Sequence, residues 1–457
     1  MDRVLIANRG EIACRIIRSC RTAGYSPVVI HSDADAGALH VRLADAARRV
    51  GPPPVAESYL DQDAVLGAAR ELGARFVHPG YGLLSENAGF ARRVIGEGLV
   101  WVGPDPDTIA AMGDKDRARA IAAAAGVPVL GGSHRLDASD SEGVLAAAHR
   151  VGFPLLVKAT AGGGGIGMRR VDAPGDLAAR AESIGGLAGR IFGDAGIFLE
   201  RLVPRARHVE VQVIGYGDGR VTHLFDRDCS VQRRYQKVIE EAPAPALDPQ
   251  IRDALAQAAC ALAASQRYLG AGTVEFLVDR DTGSFHFLEM NTRLQVEHPV
   301  TEMFTGLDIV ALQLALADGS AAPGVPEARG HAIECRIYAE NPARRFLPSP
   351  GTLDRFVLPP LSDGLRIETG YETGDELSRW YDPLIAKLVV HGDDRRAAIT
   401  GLGKALSAVR IEGVATNLDL LRQVIRDPEF RDGPVDTGYL ERALPGLLST
   451  LQSDEPG

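Results

Sequence analysis

The residues with the most distinctive chemistry lie near residue 290. Residues 289–299 read Glu-Met-Asn-Thr-Arg-Leu-Gln-Val-Glu-His-Pro, so carboxylates, amides, a guanidinium and an imidazole fall within one short segment. An upstream strand-like run, 273–279, is separated from a second run, 284–290, by a turn centred near residue 282. This pattern predicts an antiparallel hairpin that leads directly into the polar segment.

The hairpin predicts a metal site. Its midpoint places Glu275 opposite Glu289, and strand alternation puts Asn291 on the same face, together with Leu277 and Phe287. A single glutamate there would be interpreted as part of a half-solvated strand. Burying two carboxylates on an otherwise apolar face costs free energy unless a cation neutralises their charge. Mg²⁺ would neutralise them and would keep coordination positions for water and nucleotide phosphates. The predicted metal ligands are therefore Glu275, Glu289 and Asn291.

A glycine-rich loop predicts a phosphate site. Residues 162–167 read Gly-Gly-Gly-Gly-Ile-Gly and join two strand-like runs, the first of which contains Lys158. A dinucleotide fingerprint would need a helix directly after the glycines, and a P-loop would need Gly-Lys-Ser/Thr. A hairpin tip whose N–H groups fold over a polyphosphate fits better, with Lys158 supplying charge, and a mobile surface turn is the alternative. Lys115, His208 and the run 232–237 add further donors, although a basic run is more often a solvated face.

Bulk composition narrows the class of protein. The chain has 457 residues and a formal net charge of −10, which argues against a nucleic-acid or anionic-membrane surface as the main partner. Its five cysteines are scattered without metal-ligand spacing, which is typical of a reduced intracellular compartment. No secretory leader or membrane-length apolar run is present, so a cytoplasmic protein is expected.

The pattern of elements predicts several domains. Alternating strands and helices over residues 1–112 indicate an open α/β domain, whose ligands lie beyond the carboxyl ends of the strands. Shorter strands broken by glycines indicate an inserted α+β lid at about 131–203, within a second domain at 113–325. A Pro/Gly-rich boundary at 319–330 precedes a final α/β region at 329–445, and the polar tail 446–457 is expected to be disordered.

Several motifs together resemble one family. They are Ile-Ala-Asn-Arg-Gly-Glu-Ile-Ala at 6–13, His-Pro-Gly-Tyr-Gly at 78–82, Ser-Glu-Asn at 85–87, Lys158 with its glycine loop, Arg-His-Val-Glu at 207–210, Asp-Cys-Ser-Val-Gln-Arg-Arg at 228–234 and the run 290–301. The chain resembles the biotin carboxylase component of biotin-dependent carboxylases, in the ATP-grasp superfamily, over about residues 2–445. Glu-Cys-Arg-Ile at 334–337 and Tyr-Asp-Pro-Leu-Ile-Ala-Lys-Leu at 381–388 extend the match. The resemblance implies a three-domain α/β and α+β architecture with a central ATP-grasp domain and a mobile lid.

The resemblance implies ATP-driven carboxylation of biotin by bicarbonate through carboxyphosphate. Glu297 would be the general base, and Arg336 would stabilise the enolate-like biotin. The other implied catalytic and substrate-binding residues are Lys237, Arg293, Gln295, Val296 and Tyr81. The implied nucleotide-binding residues are Lys115, Lys158, Gly164, Gly165, Glu200, Arg201, Leu202, Val203, His208, Gln232 and Tyr235. Two Mg²⁺ or Mn²⁺ ions would bridge the phosphates.

The sequence departs from the family pattern at Ile166, where the family usually carries Arg or Lys, and at Tyr235, where it usually carries His. No Ala-Met-Lys-Met-type biotin site is present, so biotin is expected on another polypeptide or on a continuation of this one. The expected partners are a biotin carboxyl carrier protein or domain and a carboxyltransferase, with homodimerisation. An acyl-CoA carboxylase, with a role in fatty acid biosynthesis, is the expected context. The alternatives are another ATP-grasp ligase that forms an acyl phosphate and a catalytically degenerate nucleotide-binding subunit.

Overall fold

The chain begins with a parallel sheet flanked by helices. The computed structural model describes residues 1–160, 167–320 and 327–453. The first elements are β1 (Arg3–Ile6), α1 (Gly10–Thr22), β2 (Ser26–Ser32), α2 (Leu39–Leu43), β3 (Ala46–Gly51), α3 (Gln62–Glu71), β4 (Phe76–His78), α4 (Ala88–Gly96), β5 (Val100–Trp101) and α5 (Pro106–Gly113). The strands are parallel and lie in the order β3-β2-β1-β4-β5. The predicted open α/β arrangement is therefore present, and the Asn87 side chain caps the start of α4.

A second, smaller sheet follows. Its elements are α6 (Lys115–Ala124), β6 (Leu136–Asp137), α7 (Ser141–Val151), β7 (Leu155–Ala159), β8 (Met168–Val171), α8 (Leu177–Phe192) and β9 (Gly196–Arg201). The four strands pair in the antiparallel order β6-β9-β7-β8 and cover an apolar core of their own with α7 and α8. Lys158 and Glu200 lie on neighbouring strands of this sheet.

The largest sheet crosses most of the remaining chain. Its elements, with the helices between them, are β10 (Ala206–Tyr216), β11 (Val221–Arg233), β12 (Gln236–Ala242), α9 (Pro249–Ser265), β13 (Leu269–Asp279), β14 (Phe285–Asn291), α10 (His298–Thr305), α11 (Ile309–Ala317), β15 (His331–Tyr338), β20 (Leu365–Thr369) and β22 (Leu384–Gly392). The strand order is β14-β13-β10-β11-β12-β15-β22-β20. Because β12 pairs with β15, residues before and after the 319–330 segment share one hydrogen-bonded sheet.

Short strands and helices complete the C-terminal part. They are β16 (Glu340–Asn341), β17 (Leu347–Pro348), β18 (Gly351–Thr352), β19 (Arg355–Val357), β21 (Glu376–Leu377), α12 (Arg395–Ala408), β23 (Arg410–Glu412), α13 (Leu418–Val424), α14 (Pro428–Asp432) and α15 (Tyr439–Ser453). The expected disordered tail at 446–457 is wrong up to Ser453, because α15 continues there and buries Leu447 with Leu440 in the C-terminal core. This helical spacing packs one face of α15 inward.

The β13–β14 hairpin has the predicted register at the acids and a different one nearer the turn. Glu275 lies directly opposite Glu289, but a register shift follows, so that Phe276 pairs with Phe287. Phe287 consequently packs with Val274 and Phe276 in the apolar core instead of sharing the face of the acids. The expectation of an otherwise apolar face is therefore wrong, because the neighbouring strand β10 places His208, Glu210 and other polar residues beside β13.

No single helix in the described ranges is both long and apolar enough to cross a membrane. The consecutive helices α10 and α11 meet that test only when taken together, and they are bent by 96° at their junction.

Candidate active site

The hairpin fixes two facing carboxylates at one end of the site. Glu275 Oε1 accepts a hydrogen bond from Asn291 Nδ2 at 2.8 Å, so all three predicted metal ligands lie together. Burial, and then the charge of Glu275, raise the pKa of Glu289. The nearby cations therefore do not fully offset the negative charge at Glu289. Two facing carboxylates suit a hard divalent cation such as the expected Mg²⁺. Asn291 presents Nδ2 to Glu275 and Oδ1 to Arg293, so its amide would have to turn over to add an oxygen ligand.

Lys237 lies at the centre of the acidic cluster. Its Nζ is 2.5 Å from Glu297 Oε1, 2.6 Å from Glu210 Oε2 and 2.9 Å from Glu275 Oε1. Burial opposes the ammonium charge, but the three carboxylates outweigh burial and raise the pKa of Lys237 well above its usual value. Lys237 is therefore charged at neutral pH and joins the metal-ligand end of the site to Glu297.

Glu297 is held between cations. It ends the polar segment directly before α10 and is buried, with Oε2 3.0 Å from Arg336 Nη2. Burial alone would raise the pKa of Glu297, but Lys237, Arg336 and Arg227 together hold it well below its usual range. The carboxylate is consequently ionised at neutral pH, as a group that accepts a proton must be.

The rest of the polar segment is fixed by contacts to three parts of the chain. Arg293 donates to Glu86 Oε2 at 3.0 Å and to Gln295 Oε1 at 2.9 Å, and Gln295 Nε2 donates in turn to Glu275 at 3.0 Å. The Val296 carbonyl accepts a 2.7 Å hydrogen bond from the buried Lys387. The predicted bicarbonate-binding residues are thus brought together, with the Val296 backbone fixed from the C-terminal part.

Tyr81 and His298 lie at the edges of the same cluster. The Tyr81 hydroxyl donates to Glu11, whose carboxylate is 3.1 Å from Lys387 Nζ. His298 Nδ1 is 2.7 Å from the Gln295 carbonyl and its Nε2 is 3.8 Å from Glu302 Oε2, so the imidazole supports the loop. Burial lowers the pKa of His298, which keeps it neutral.

His208 joins the metal-ligand end to β11. Its Nε2 is 2.8 Å from Glu275 Oε2, and its Nδ1 is 2.8 Å from Gln232 Nε2. Burial opposes the imidazolium, but Glu275 outweighs it and raises the pKa of His208. Both His208 and Gln232, predicted to contact the nucleotide, are therefore already fixed beside the acids.

The smaller sheet carries another predicted group of nucleotide ligands. Lys158 on β7 and Glu200 on β9 form a direct ion pair. Lys115 begins α6, which packs against β14. Burial lowers the pKa of Lys115, and the charges of Glu289, Lys158 and Glu200 also act on it. Lys115 is therefore under the influence of charges from both sheets, Lys158 and Glu200 on the smaller one and Glu289 on β14.

Three more predicted nucleotide-binding residues lie at the end of β9. Arg201 is exposed, Leu202 and Val203 are half-buried, and the Leu202 N–H donates to the Pro154 carbonyl at 3.0 Å. Tyr235 is 49 % exposed at the tip between β11 and β12. Gly164, Gly165 and Ile166 lie outside the described residues.

The structure adds residues that the sequence reasoning missed. Glu210 and Arg227 lie beneath Lys237, with Arg227 Nε 2.5 Å from Glu210 Oε1. Glu240 on β12 forms an ion pair with Arg336 and lies opposite Glu334 on β15. Glu210 could have been found from strand alternation, because it follows His208 by two residues; the others depend on strand pairing between distant segments.

Fold and site together define an ATP-grasp ligase: the model of the carbamoyl-phosphate synthase L chain, ATP binding domain, matches residues 114–323. The models of the biotin carboxylase N-terminal and C-terminal domains match residues 1–109 and 334–442. The chain belongs to the biotin carboxylase family.

Individual relatives agree. The chain is 47 % identical to a biotin carboxylase of Halalkalibacterium halodurans, covering 97 % of this chain and 98 % of that one. It is 48 % identical to the mitochondrial methylcrotonoyl-CoA carboxylase subunit alpha of Oryza sativa subsp. japonica, covering 98 % of this chain but 61 % of that protein. The chain thus spans about three fifths of such longer relatives.

Solved structures show the same fold. A biotin carboxylase complex from Campylobacter jejuni is similar with a TM-score of 0.92 at 41 % identity, over 96 % of this chain and 98 % of that one. The biotin carboxylase domain dimer of Hydrogenobacter thermophilus 2-oxoglutarate carboxylase, in complex with MgADP, ADP and bicarbonate, has a TM-score of 0.93 at 40 % identity, over 98 % of each chain. The predicted family, three-domain fold class and enzyme class, an ATP-dependent ligase, are confirmed.

Proposed function

We propose that the protein carboxylates biotin with bicarbonate at the expense of ATP, through carboxyphosphate, giving carboxybiotin, ADP and phosphate. The observation that carries this proposal is the set formed by the half-buried Lys237 and the buried Glu297 and Arg336. One ionised carboxylate lies between an ammonium and a guanidinium, at contact distances of 2.5 and 3.0 Å. The facing acids of β13 and β14 lie on the other side of the same ammonium.

Glu297 is the proposed base for bicarbonate. Its contacts with Lys237 and Arg336 keep it ionised, and bicarbonate bound by Lys237 and Arg293 would present its hydroxyl to it. The deprotonated oxygen then attacks the γ-phosphorus, and the bond to ADP breaks. Because Lys237 contacts Glu297 directly, bicarbonate must loosen that ion pair, which strengthens the base as the substrate enters.

The nucleotide lies, in this proposal, between the smaller sheet and the β13–β14 hairpin. Lys115 and Lys158 would hold phosphate oxygens, and Glu200 with the segment 201–203 would face the adenine ring. Glu275, Glu289 and Asn291 would hold two Mg²⁺ or Mn²⁺ ions, which neutralise charge that develops on the phosphates. Asn291 also accepts from Arg293 at 2.9 Å, so the ion end and the bicarbonate end share one side chain.

Arg336 is the proposed stabiliser of biotin once its ureido nitrogen has lost a proton. The guanidinium is always charged and lies beside Glu297, where negative charge on the biotin oxygen would be placed. Biotin would arrive on a carboxyl carrier protein or domain, and a carboxyltransferase would pass the carboxyl group to an acyl-CoA. Homodimerisation and a cytoplasmic location belong to the same proposal.

The test is ADP release with Mg²⁺ and bicarbonate, with and without free biotin, in wild type and Glu297→Gln. We expect biotin-stimulated release in wild type and a loss of about 10²–10⁴-fold in the variant, the usual contribution of a general base. Glu412→Gln, on the exposed strand β23, is the control. Bicarbonate-dependent ADP release that neither free biotin nor a biotinylated carrier stimulates would favour another ATP-grasp ligase. The absence of ADP release would favour a catalytically degenerate subunit.

A further inference from the structure

Two buried glutamates behind Arg336 take no part in the mechanism above. Glu240 on β12 lies directly opposite Glu334 on β15, and both are 0 % exposed. Glu334 and Arg336 are two residues apart on β15 and so share a face, and Lys387 on β22 lies opposite Arg336. The two carboxyl groups and the two cations therefore occupy one buried patch.

Glu240 and Glu297 hold the same nitrogen of Arg336. Arg336 Nη2 is 2.5 Å from Glu240 Oε1, as an ion pair without the alignment of a hydrogen bond, and 3.0 Å from Glu297 Oε2. Arg336 Nη1 donates to the Tyr338 hydroxyl at 3.4 Å. The guanidinium is thus held on one side by the proposed base and on the other by Glu240.

Glu334 has a different environment. Within the described ranges, neither of its carboxyl oxygens has a hydrogen-bond partner. A fully buried carboxylate without partners is costly, whereas its neutral form costs far less. Two carboxyl groups directly opposite each other also cannot both ionise cheaply.

The charged groups around the pair are Arg336, Lys387, Lys237 and Glu297. His298, which begins the helix packed on β12, β15 and β22, is neutral. Burial raises the pKa of Glu240 to about 7 although Arg336 opposes the shift, and burial raises the pKa of Glu334 well above its usual value although Lys387 opposes it. The pair keeps at least one proton at neutral pH.

We propose that Glu240 is a positioning residue for Arg336, and that a proton kept on Glu334 sets how strongly Glu240 holds it. The inference rests on the proposed function, since it concerns the residue that would stabilise biotin. While Glu334 is neutral, Glu240 and Glu297 hold the guanidinium between them. When that proton is lost, the extra negative charge draws Arg336 towards β12 and away from the biotin oxygen, and the biotin step slows.

The experiment compares the ratio of biotin-stimulated to biotin-independent ADP release, using free biotin, in wild type, Glu240→Gln and Glu240→Asp. Glu240→Gln is expected to lower this ratio about 10–100-fold, the effect of misplacing a catalytic group by about 1 Å. Glu240→Asp keeps the charge and should recover part of the loss. An unchanged ratio in Glu240→Gln, or equal losses in both variants, would overturn the positioning role.

A pH profile supplies a second readout that does not depend on the Glu240 variants folding. Deprotonation of Glu334 adds negative charge beside Glu240 as pH rises, so the wild-type ratio should fall on the alkaline side. Glu334→Gln has no proton to lose, and this fall should vanish. A fall that persists in Glu334→Gln would overturn the role of Glu334. A wild type that neither free biotin nor a biotinylated carrier stimulates at any pH would instead refute the proposed function beneath it.

Discussion

Arg227→Met should destabilise the protein strongly although Arg227 contacts no proposed substrate. The guanidinium is 0 % exposed and spans β11, β10 and α10. It lies 2.5 Å from Glu210 Oε1, and it donates to Gln212 at 2.8 Å, to Thr301 at 2.9 Å and to Thr273 at 3.1 Å. Methionine fills much of the volume but leaves these acceptors without their donor.

The size of the effect follows from the charge left behind. Breaking a buried ion pair by removing one partner costs about 3–5 kcal/mol. For a cooperative unit of about 150–250 residues, each kcal/mol lowers Tm by about 2–4 °C, so the expected decrease is about 6–20 °C. Arg227→Met leaves Glu210 with Lys237, a cation that it shares with Glu275 and Glu297. In Arg227→Met/Glu210→Gln this poorly balanced carboxylate is also removed, and about 1–3 kcal/mol of the loss should return as coupling energy.

Thermal and urea unfolding, monitored by circular dichroism, would measure both variants. Arg220→Met is the matched control: Arg220 lies in the turn before β11, its side chain is 75 % exposed, and its ion pair with Asp218 is on the surface. That substitution should leave Tm unchanged. If Arg227→Met behaves like Arg220→Met, or if the double variant is no more stable than Arg227→Met, the argument from buried charge is refuted.

Three further outcomes are expected. Glu289→Gln should raise the Mg²⁺ concentration for half-maximal ADP release about 10–100-fold, because a charge-assisted ligand contact of about 1.5–3 kcal/mol is lost; an unchanged Mg²⁺ titration would contradict this. Tyr235→His should change the apparent KM for ATP more than kcat, and an unaltered ATP affinity would refute its assignment to the nucleotide. Burial would raise the pKa of Glu368, but Arg366 and Arg18 lower it to about 2 from 4.5. Ionised Glu368 therefore stabilises the folded state above pH 4.5, and this stabilisation is lost as pH falls towards 2. The difference of about 3 kcal/mol in unfolding free energy between wild type and Glu368→Gln should shrink over that range. A difference that stays constant with pH would contradict this.

Local patterns predicted the hairpin and its facing acids well. The turn after Asp279 fixes the midpoint, and the midpoint alone sets Glu275 opposite Glu289. The register shift beside Glu275 has no comparable local signature, because it depends on packing Phe287 into the core beneath the sheet. Predictions that required alternation to continue past that point were therefore wrong, whereas those at the acids were confirmed.

The first sheet shows the same limit. Its buried strands read as continuous apolar runs, but the edge strand β3 carries exposed Arg48 and Arg49 and has no such run. The supports of Arg336 were missed for another reason. Glu240 and Glu334 are adjacent only because β12 pairs with β15, and neither sequence spacing nor composition specifies that pairing.

The pairing of β12 with β15 also bears on how the protein can be divided. The match to the C-terminal family model begins at residue 334, yet the boundary suggested by such matches falls inside an unbroken eight-stranded sheet. A fragment ending at residue 320 would turn β12 into an edge strand with unpaired backbone groups, the kind of edge that recruits other strands and aggregates. Two separately produced halves would therefore become soluble and active only by complementing each other through this edge, and any engineered split or domain exchange should keep β10 to β15 and β22 on one piece.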